Sequence, residues 1–401
     1  MNRNNTIIVL FILFSICFGL TKCVDPYHVN VTNGKNVLVV DALITNEDKS
    51  HFVKLSRSRA NLEDENLMET GAFVSIKGDH GENEVLKETE PGVYKTDQSK
   101  FITRIGGKYI LSIITSDGKH YESQECEILQ PSEINNVYYK ADTIINGNNE
   151  EVEGLRFYVD GTSANNDYLR WLCDENWKFN VPYATKIAFD ENKQLYHIPE
   201  INKFCFKSFA PYEISIQALN EYTSREIVGK SACFIPTNYS DRFQIKYSIS
   251  IKQMSISAEE YEFWSKMKKV NEDGGDMFGI QPFSIPGNIV CMDDDNEEVL
   301  GYFQTGGVAS KRLFITRAEA RDLGLRLLYD HGCVTDTVMV DEWHPSLYEL
   351  YEKYVLTDGY GLYDQPVGEM GSPLNGLLIV KKKCTDCRLT GSSEKPLFWE
   401  D

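Results

Sequence analysis

Apolar and polar residues alternate along much of the chain, and this period of two is typical of β-strands with one buried face. The alternation is clear in segments 72–77, 109–113, 155–159 and 214–219. An Asp-Gly pair in segment 116–119 favours the positive φ angles of a tight hairpin. Short strands separated by such turns at regular spacing predict β-sandwiches of roughly immunoglobulin type.

The strand pattern divides the chain into modules. We expect an N-terminal immunoglobulin-like β-sandwich at 36–132 and a second β-sandwich at 133–316, which includes the short strands after residue 280. The C-terminal extension, 317–401, contains frequent Gly and Pro and two short helical candidates, 317–329 and 347–354. The predicted fold class is therefore mainly β, with two tandem sandwiches and one capping amphipathic helix.

The sequence predicts that helix at 257–271. Ser257 is a good N-cap, and Glu260 three residues later completes a capping-box sequence. Tyr261 and Trp264 share one face, and a Gly-Gly pair after the helix ends it. We expect the helix to cover an open edge or end of the second sheet, with its aromatic stripe in the core.

The N-terminus has the pattern of a secretory signal peptide: a short basic start, an apolar run at 6–20 and a polar exit. The sequence Leu-Thr-Lys-Cys at 20–23 resembles a bacterial lipobox, although Lys22 departs from the small residue usual there. We therefore predict a signal peptide at 1–22, lipidation of Cys23 and a polar tether at 23–35. The alternative is ordinary secretion with Cys23 as a spare thiol.

Net charge excludes several classes of function. The chain has 41 basic and 60 acidic residues, and cleavage before Cys23 would remove Arg3 and Lys22, so that 39 − 60 gives −21. Such a chain lacks the basic surface that nucleic acids require. With only one long apolar run it is not a polytopic membrane protein, and 12% aromatic residues exclude disorder over most of its length.

Eight cysteines follow the predicted lipidation site, and an exported chain permits disulfides. They are Cys126, Cys173, Cys205, Cys233, Cys291, Cys333, Cys384 and Cys387. The close pair Cys384 and Cys387 has three interpretations that sequence leaves open. It forms a structural disulfide with Cys333 or within itself, it remains as free thiols, or it binds zinc with Cys333 and His331 or His344.

The sequence contains no set of residues typical of an enzyme. It lacks a nucleophile elbow and a complete phosphate-binding loop, and its seven histidines are not spaced as joint metal ligands. The acidic segment 293–298 lacks the glycine of a calcium loop and is interpreted as a solvated hairpin turn. We predict no catalytic residue, metal or cofactor.

Two tripeptides, Asp-Thr-Ile at 142–144 and Asp-Thr-Val at 336–338, resemble the acceptor motif for O-linked glycans in exported proteins of Bacteroidota. They make Thr143 and Thr337 candidate O-glycosylation sites.

A set of motifs also resembles one protein family. They are Tyr-Leu-Arg-Trp at 168–171, Ser-Ala-Glu-Glu-Tyr-Glu-Phe-Trp at 257–264, Gln-Pro at 281–282, Gly-Asn-Ile at 287–289, Val-Leu-Gly-Tyr-Phe at 299–303 and Lys-Pro-Leu-Phe-Trp at 395–399. In this order they are similar to a group of Bacteroidota outer-membrane lipoproteins labelled a domain of unknown function. The resemblance implies a surface-facing lipoprotein, often encoded beside a TonB-dependent receptor, and it implies no reaction.

These patterns favour a non-enzymatic accessory lipoprotein that contacts a TonB-dependent outer-membrane transporter, with the lipid as its membrane anchor. A surface adhesin or envelope structural protein shares the same features, and a hydrolase is the third class considered.

Overall fold

A computed structural model describes residues 37–58, 67–163, 165–220, 224–237, 240–273, 285–327, 329 and 332–400. Strands account for 47% of the residues and helices for 11%, which confirms the mainly-β prediction. In chain order the strands are β1 (Leu38–Thr45), β2 (Phe52–Arg57), β3 (Leu67–Met68), β4 (Phe73–Gly78), β5 (Asn83–Val85), β6 (Lys87–Glu90), β7 (Val93–Lys95), β8 (Lys108–Ile114), β9 (His120–Ser123), β10 (Cys126–Glu127), β11 (Glu133–Ile145), β12 (Glu151–Thr162), β13 (Tyr168–Asn180), β14 (Ile187–Phe189), β15 (Leu195–His197), β16 (Phe204–Phe209), β17 (Ser215–Ala218), β18 (Glu226–Pro236), β19 (Lys246–Ser255), β20 (Ile289–Cys291), β21 (Val299–Thr316), β22 (Asp336–Met339), β23 (Tyr360–Asp364) and β24 (Gly376–Lys381). The helices are α1 (Ala258–Asp273), α2 (Arg317–Asp322), α3 (Leu347–Leu350), a π-helix (Tyr351–Thr357) and two 3₁₀ turns (Lys382–Cys384 and Cys387–Leu389).

A ten-stranded sheet, which we call the long sheet, runs through the protein in the order β16-β13-β19-β21-β1-β2-β7-β6, with β17 beside β13 and β3 beside β2. Its central strand, β21, has 18 residues. The first part of β21 pairs in parallel with β1 (Leu38 opposite Val299), and the second part pairs antiparallel with β19 (Ser255 opposite Gly307).

Two smaller sheets pack on one face of the long sheet, which we call the inner face. The sheet β20-β9-β8-β4-β5, with β10, shares a core with β1, β2 and Phe303 of β21. The sheet β11-β12-β18 shares a second core with β13, β19 and Ile315 of β21. Phe303 and Ile315 are an even number of residues apart on one strand, so their side chains point to the same face. The result is two sandwiches that share one wall.

This shared wall differs from the predicted division at residues 132 and 133. The sequence assigned the strands after residue 280 to the second module, but β20 pairs with β9 (Ile289 opposite Ser123) and half of β21 pairs with β1. The chain thus returns to complete the first sandwich. Alternation along a strand identifies its two faces and not its neighbours, so this long-range pairing has no signal in the local pattern.

Helix α1 lies on the opposite, outer face of the long sheet. The sequence had suggested a different position, over an open edge or end of the second sheet. Its N-terminus is capped as predicted, since the Ser257 hydroxyl accepts a 3.1 Å hydrogen bond from the Glu260 N–H. The Tyr261 ring packs against Tyr168 at 4.8 Å, and the Phe263 ring packs against Tyr302 at 4.8 Å.

The C-terminal region adds a small subdomain. The sheet β22-β24-β23, the π-helix and the hairpin β14-β15 enclose a separate apolar core that includes Ile187, Leu350, Leu362 and Leu377. Both short helices predicted here have N-caps: Ser346 caps α3, and Thr316 forms a complete capping box with Glu319 at α2.

Candidate functional site

Four of the family-like motifs, at 168–171, 257–264, 287–289 and 299–303, are brought together by helix α1 and strand β21. We call this group of side chains the motif cluster: Arg170, Glu260, Trp264, Asn288, Gln304 and the Tyr302–Phe303 pair. Sequence analysis had assigned its helical part to the core as an aromatic stripe, and the structure shows a polar pair within that stripe.

Arg170 is the centre of the motif cluster. It projects from β13 to the outer face, is 8% exposed, and donates a hydrogen bond to Gln304 Oε1. The guanidinium carbon lies 3.5 Å from the centre of the Trp264 ring, a close cation–π contact. Burial lowers the pKa of Arg170 to about 10, so the side chain stays positively charged at neutral pH.

Glu260 supplies the opposite charge from α1 and is 2% exposed. Burial raises the pKa of Glu260 to about 7, although the Arg170 charge and hydrogen bonds from Trp264 and the Thr305 backbone act in the other direction. The carboxyl group can therefore gain or lose a proton near neutral pH. A buried pair of opposite charges, such as Arg170 and Glu260, need not add net stability. Its role here is to fix the position of α1 on the sheet.

The Asn288 side chain ties the segment before β20 to β21. Its Nδ2 donates to the Phe303 carbonyl at 2.9 Å, and its Oδ1 accepts from the Phe303 N–H at 2.8 Å. Next to it, Gly301 has φ +95°, and a Cβ there would lie 1.9 Å from the Val40 carbonyl oxygen. Glycine is therefore required where β1 and β21 come together.

A cavity of about 360 Å³ borders Glu260 on one side of α1, with Cys126, Glu127, Glu259 and Tyr302 on its walls. Burial raises the pKa of the Cys126 thiol to about 12, so this cysteine is not a thiolate at neutral pH. Cys126 and Cys291 are the free cysteines among the described residues. The walls thus lack an activated nucleophile in the described part of the chain.

Disulfides secure the C-terminal region. Cys333 bonds Cys384 (S–S 2.05 Å), and Cys387 bonds Cys205 in β16 (S–S 2.04 Å). The three cysteines that the sequence singled out all take part, but the close pair does not bond to itself. Sequence reasoning missed Cys205, because eight cysteines allow too many pairings and no spacing marks a distant partner. A third disulfide joins Cys173 and Cys233 across the second sandwich.

The zinc alternative finds no support in the described residues. Sulfur atoms of its three cysteines lie at disulfide distance from other sulfurs, and His344 contacts Asp341 at 3.2 Å; His331 lies outside the described residues. Across the described ranges no group of three His, Cys, Asp or Glu side chains is placed to hold a metal ion. In the acidic segment, Glu297 instead pairs with Lys119.

Both candidate glycosylation sites are exposed on strands. Thr143 lies on β11 and Thr337 on β22, and the side chains of both face solvent. Asp142 beside Thr143 is held by Arg156 at 2.5 Å. The hydroxyl groups are thus accessible, and their modification stays a prediction.

The C-terminal motif at 395–399 docks on the outer face, at the opposite end from α1. Trp399 packs against Phe206 and Phe314 with ring centres 5.0 and 5.6 Å away, and Arg312 stacks on Phe398 at 3.5 Å. This motif also serves packing.

The predicted signal peptide, the lipidation site Cys23 and the tether lie outside the described residues. Within the ranges that are described, none of the helices has the length and apolar character needed to cross a membrane.

Comparison with known proteins adds one finding. A model of the family described as "Domain of unknown function (DUF4249)" matches residues 24–312, well over half of the chain. No curated protein matches. The matched range contains the whole motif cluster and both sandwiches except the last residues of β21, and the chain belongs to this family of unknown function.

Proposed function

We propose that this protein is a surface-exposed outer-membrane lipoprotein that serves as a non-enzymatic accessory or binding protein for a TonB-dependent nutrient transporter. The observation that carries the proposal is the apolar run at 6–20 followed directly by Leu-Thr-Lys-Cys at 20–23. A lipid on Cys23 would hold the chain at the membrane, and the short polar stretch after it would let the sandwiches stand clear of the bilayer.

The motif residues join parts of the scaffold to one another, and such a scaffold suits a binding role. Arg170 on β13 donates to Gln304 on β21 and acts through its charge on Glu260 of α1. Asn288, directly before β20, donates to the Phe303 carbonyl on β21. Two sandwiches that share one long sheet form a continuous scaffold, which suits a protein that presents a surface to a partner. The charge of −21 after cleavage keeps such a body soluble outside the cell.

Lipidation is tested by metabolic labelling with a clickable palmitate. We expect the wild type and Cys17→Ser to be labelled and Cys23→Ser to remain unlabelled. Cys17 is the matched control because it is a cysteine inside the apolar run. A wild-type chain without label would contradict the proposal, as would its recovery in the cytosolic fraction.

The partner is tested by affinity purification of the tagged full chain from solubilised outer membranes. Co-purification of a TonB-dependent receptor supports the accessory role. Recovery of the chain without any such receptor, together with binding to glycan or host-matrix arrays, would favour the adhesin alternative. Turnover of polysaccharide or peptide substrates would point to a hydrolase.

A further inference from the structure

A second cavity, of about 390 Å³, opens on the outer face of the long sheet next to α1. We call it the outer cavity. Leu43, Leu172, Met254 and Val308 line it and belong to the apolar cluster that also holds two aromatic side chains of α1. Its size lies at the lower end of the range for small-ligand sites, about 300–1,000 Å³, and part of its lining is apolar as such sites require.

Two lysines meet at the rim of this cavity. Lys49 Nζ lies 2.5 Å from Glu47 Oε2, and Lys252 Nζ lies 3.5 Å from Oε1 of the same carboxylate and 2.8 Å from Asp174 Oδ2. Burial, together with the positive charge of Lys252, lowers the pKa of Lys49. An ammonium group has three N–H donors, so both lysines keep donors for a further anion.

A carboxylate whose charge also acts on the buried Arg170 faces the same cavity. Asp41 lines it from β1, is exposed, and makes no hydrogen bond or ion pair with any residue that the structure describes. Lys54, directly opposite on β2, forms no ion pair within the described residues either. The outer cavity therefore offers an available negative group at a distance from the pair of lysines.

His51 lies between the outer cavity and the core of the first sandwich, because it lines the cavity and packs on Phe101 of that core. It is 2% exposed and lines the cavity, and its Nδ1 is buried without a hydrogen-bond partner among the described residues. Burial lowers the pKa of His51 to about 4, so the ring is neutral, and Phe101 packs against it edge-on at 6.2 Å. Buried polar atoms in proteins normally have a partner, so Nδ1 is an unsatisfied group at the edge of the first core.

We propose that the outer cavity binds short peptides with free termini, with the peptide carboxylate on Lys49 and Lys252 and the peptide ammonium on Asp41. Asp41 and Thr45, the residue next to the lysine site, are four residues apart on β1, or about 13 Å at 3.3 Å per residue. An extended tripeptide spans about 10 Å, and a single amino acid is too short to reach both groups. One peptide side chain would point to the apolar lining.

That such peptides are the transported nutrient rests on the proposed function. The binding of peptides to the outer cavity is a property of the chain alone. Isothermal titration of the full chain, purified in detergent micelles, with the tripeptide Ala-Leu-Ala tests it without any receptor. We expect one site, with at least about tenfold weaker binding for the N-acetylated or C-amidated peptide, since each loses a charge-assisted hydrogen bond.

Variants then locate the site. Asp41→Asn should abolish the preference for a free ammonium, and Lys49→Gln should abolish the preference for a free carboxylate. Lys77→Gln, an exposed lysine on β4, is the control and should bind like the wild type. Circular dichroism checks that each variant folds. If a variant does not fold, the capped peptides still test the proposal on the wild type.

Three results would overturn the proposal. They are the absence of heat from millimolar Ala-Leu-Ala, equal binding of acetate or inorganic phosphate, and full discrimination between capped and free peptides in both variants. Loss of receptor binding in the pull-down would leave these results unchanged, so failure of the proposed function and failure of this inference can be told apart.

Discussion

Replacing Glu260 with Gln should make the stability of the protein less sensitive to pH. Gln has the shape of the protonated carboxyl group and can still accept the hydrogen bonds from Trp264 and the Thr305 backbone. It cannot ionise. The stability difference between the variant and the wild type therefore isolates the cost of ionising this one buried group.

The magnitude follows from the pKa of Glu260, which is about 7 in the folded protein against an ordinary value of 4.5. Because the folded value is the higher one, the stabilisation is fully present below pH 4.5 and is lost as the pH rises through 7. At about 1.4 kcal/mol per unit the whole loss is about 3 kcal/mol, of which about 2–3 kcal/mol falls between pH 5 and 8.

The expected result is that Glu260→Gln gains about 2–3 kcal/mol relative to the wild type between pH 5 and 8. Arg170, with a pKa of about 10, stays charged throughout, and its attraction for the ionised Glu260 carboxylate is already contained in the Glu260 pKa of about 7. Urea unfolding at constant ionic strength, followed by circular dichroism, gives the free energy at each pH.

The control is Glu259→Gln, since Glu259 is the exposed neighbour on the same helix. Its difference from the wild type should stay constant with pH. If the Glu260→Gln difference is equally constant, or falls with pH, Glu260 is not a buried carboxyl with a raised pKa, and the account of the motif cluster is wrong.

Three further outcomes are expected. Gly301→Ala should destabilise the fold by about 3 kcal/mol, because it adds a clash to an unfavourable φ, whereas Gly324→Ala, with nothing near its Cβ, should lose about 1 kcal/mol in the same unfolding assay. Replacing Cys205 and Cys387 by Ser removes a disulfide between positions 182 residues apart and should lower the free energy of unfolding by about 3–5 kcal/mol. A peptide map of the wild type that lacks this disulfide would contradict the structure. Intact mass spectrometry of the native chain should show added sugar that Thr143→Ala reduces, and an unmodified mass would remove the glycan hypothesis.

Local features could be predicted from the sequence because their causes are local. The Asp-Gly turn between β8 and β9 forms as expected, with Gly118 at φ +88°. The alternation in segment 72–77 gives β4, in which Val74 and Ile76 are buried. The N-cap of α1 also follows directly from the residues around Ser257.

Pairings between distant segments could not be predicted in this way. Leu38 lies opposite Val299, and Cys205 bonds Cys387, yet neither pair leaves a trace in the neighbouring residues. The period of a strand reveals which face is apolar, but many partner strands satisfy the same pattern, and only the packed core selects one of them.

The motif cluster was missed for a different reason. Arg170 alternates with Leu169 and Trp171, which is the pattern of a strand whose polar face meets solvent. The inner face holds the two apolar residues, but α1 covers the outer face as well, so the arginine is buried. Glu260 has the position of a capping-box acid, but its side chain accepts a hydrogen bond from Trp264 Nε1 and lies in the field of the Arg170 charge.

The positions of these groups separate the parts that hold the fold from the parts that can recognise a ligand. Arg170, Glu260 and Asn288 use most of their polar atoms within the fold, and Arg170 Nε alone among them is buried without a hydrogen-bond partner in the described residues. Asp41 and His51 both line the outer cavity beside α1. Asp41 has no hydrogen bond or ion pair among the described residues, and His51 Nδ1 is buried without a hydrogen-bond partner there. Because unpaired polar groups in a cavity gain most from a ligand, specificity in this protein should depend on the outer cavity, and the motif cluster should act by fixing the helix that forms part of its surroundings.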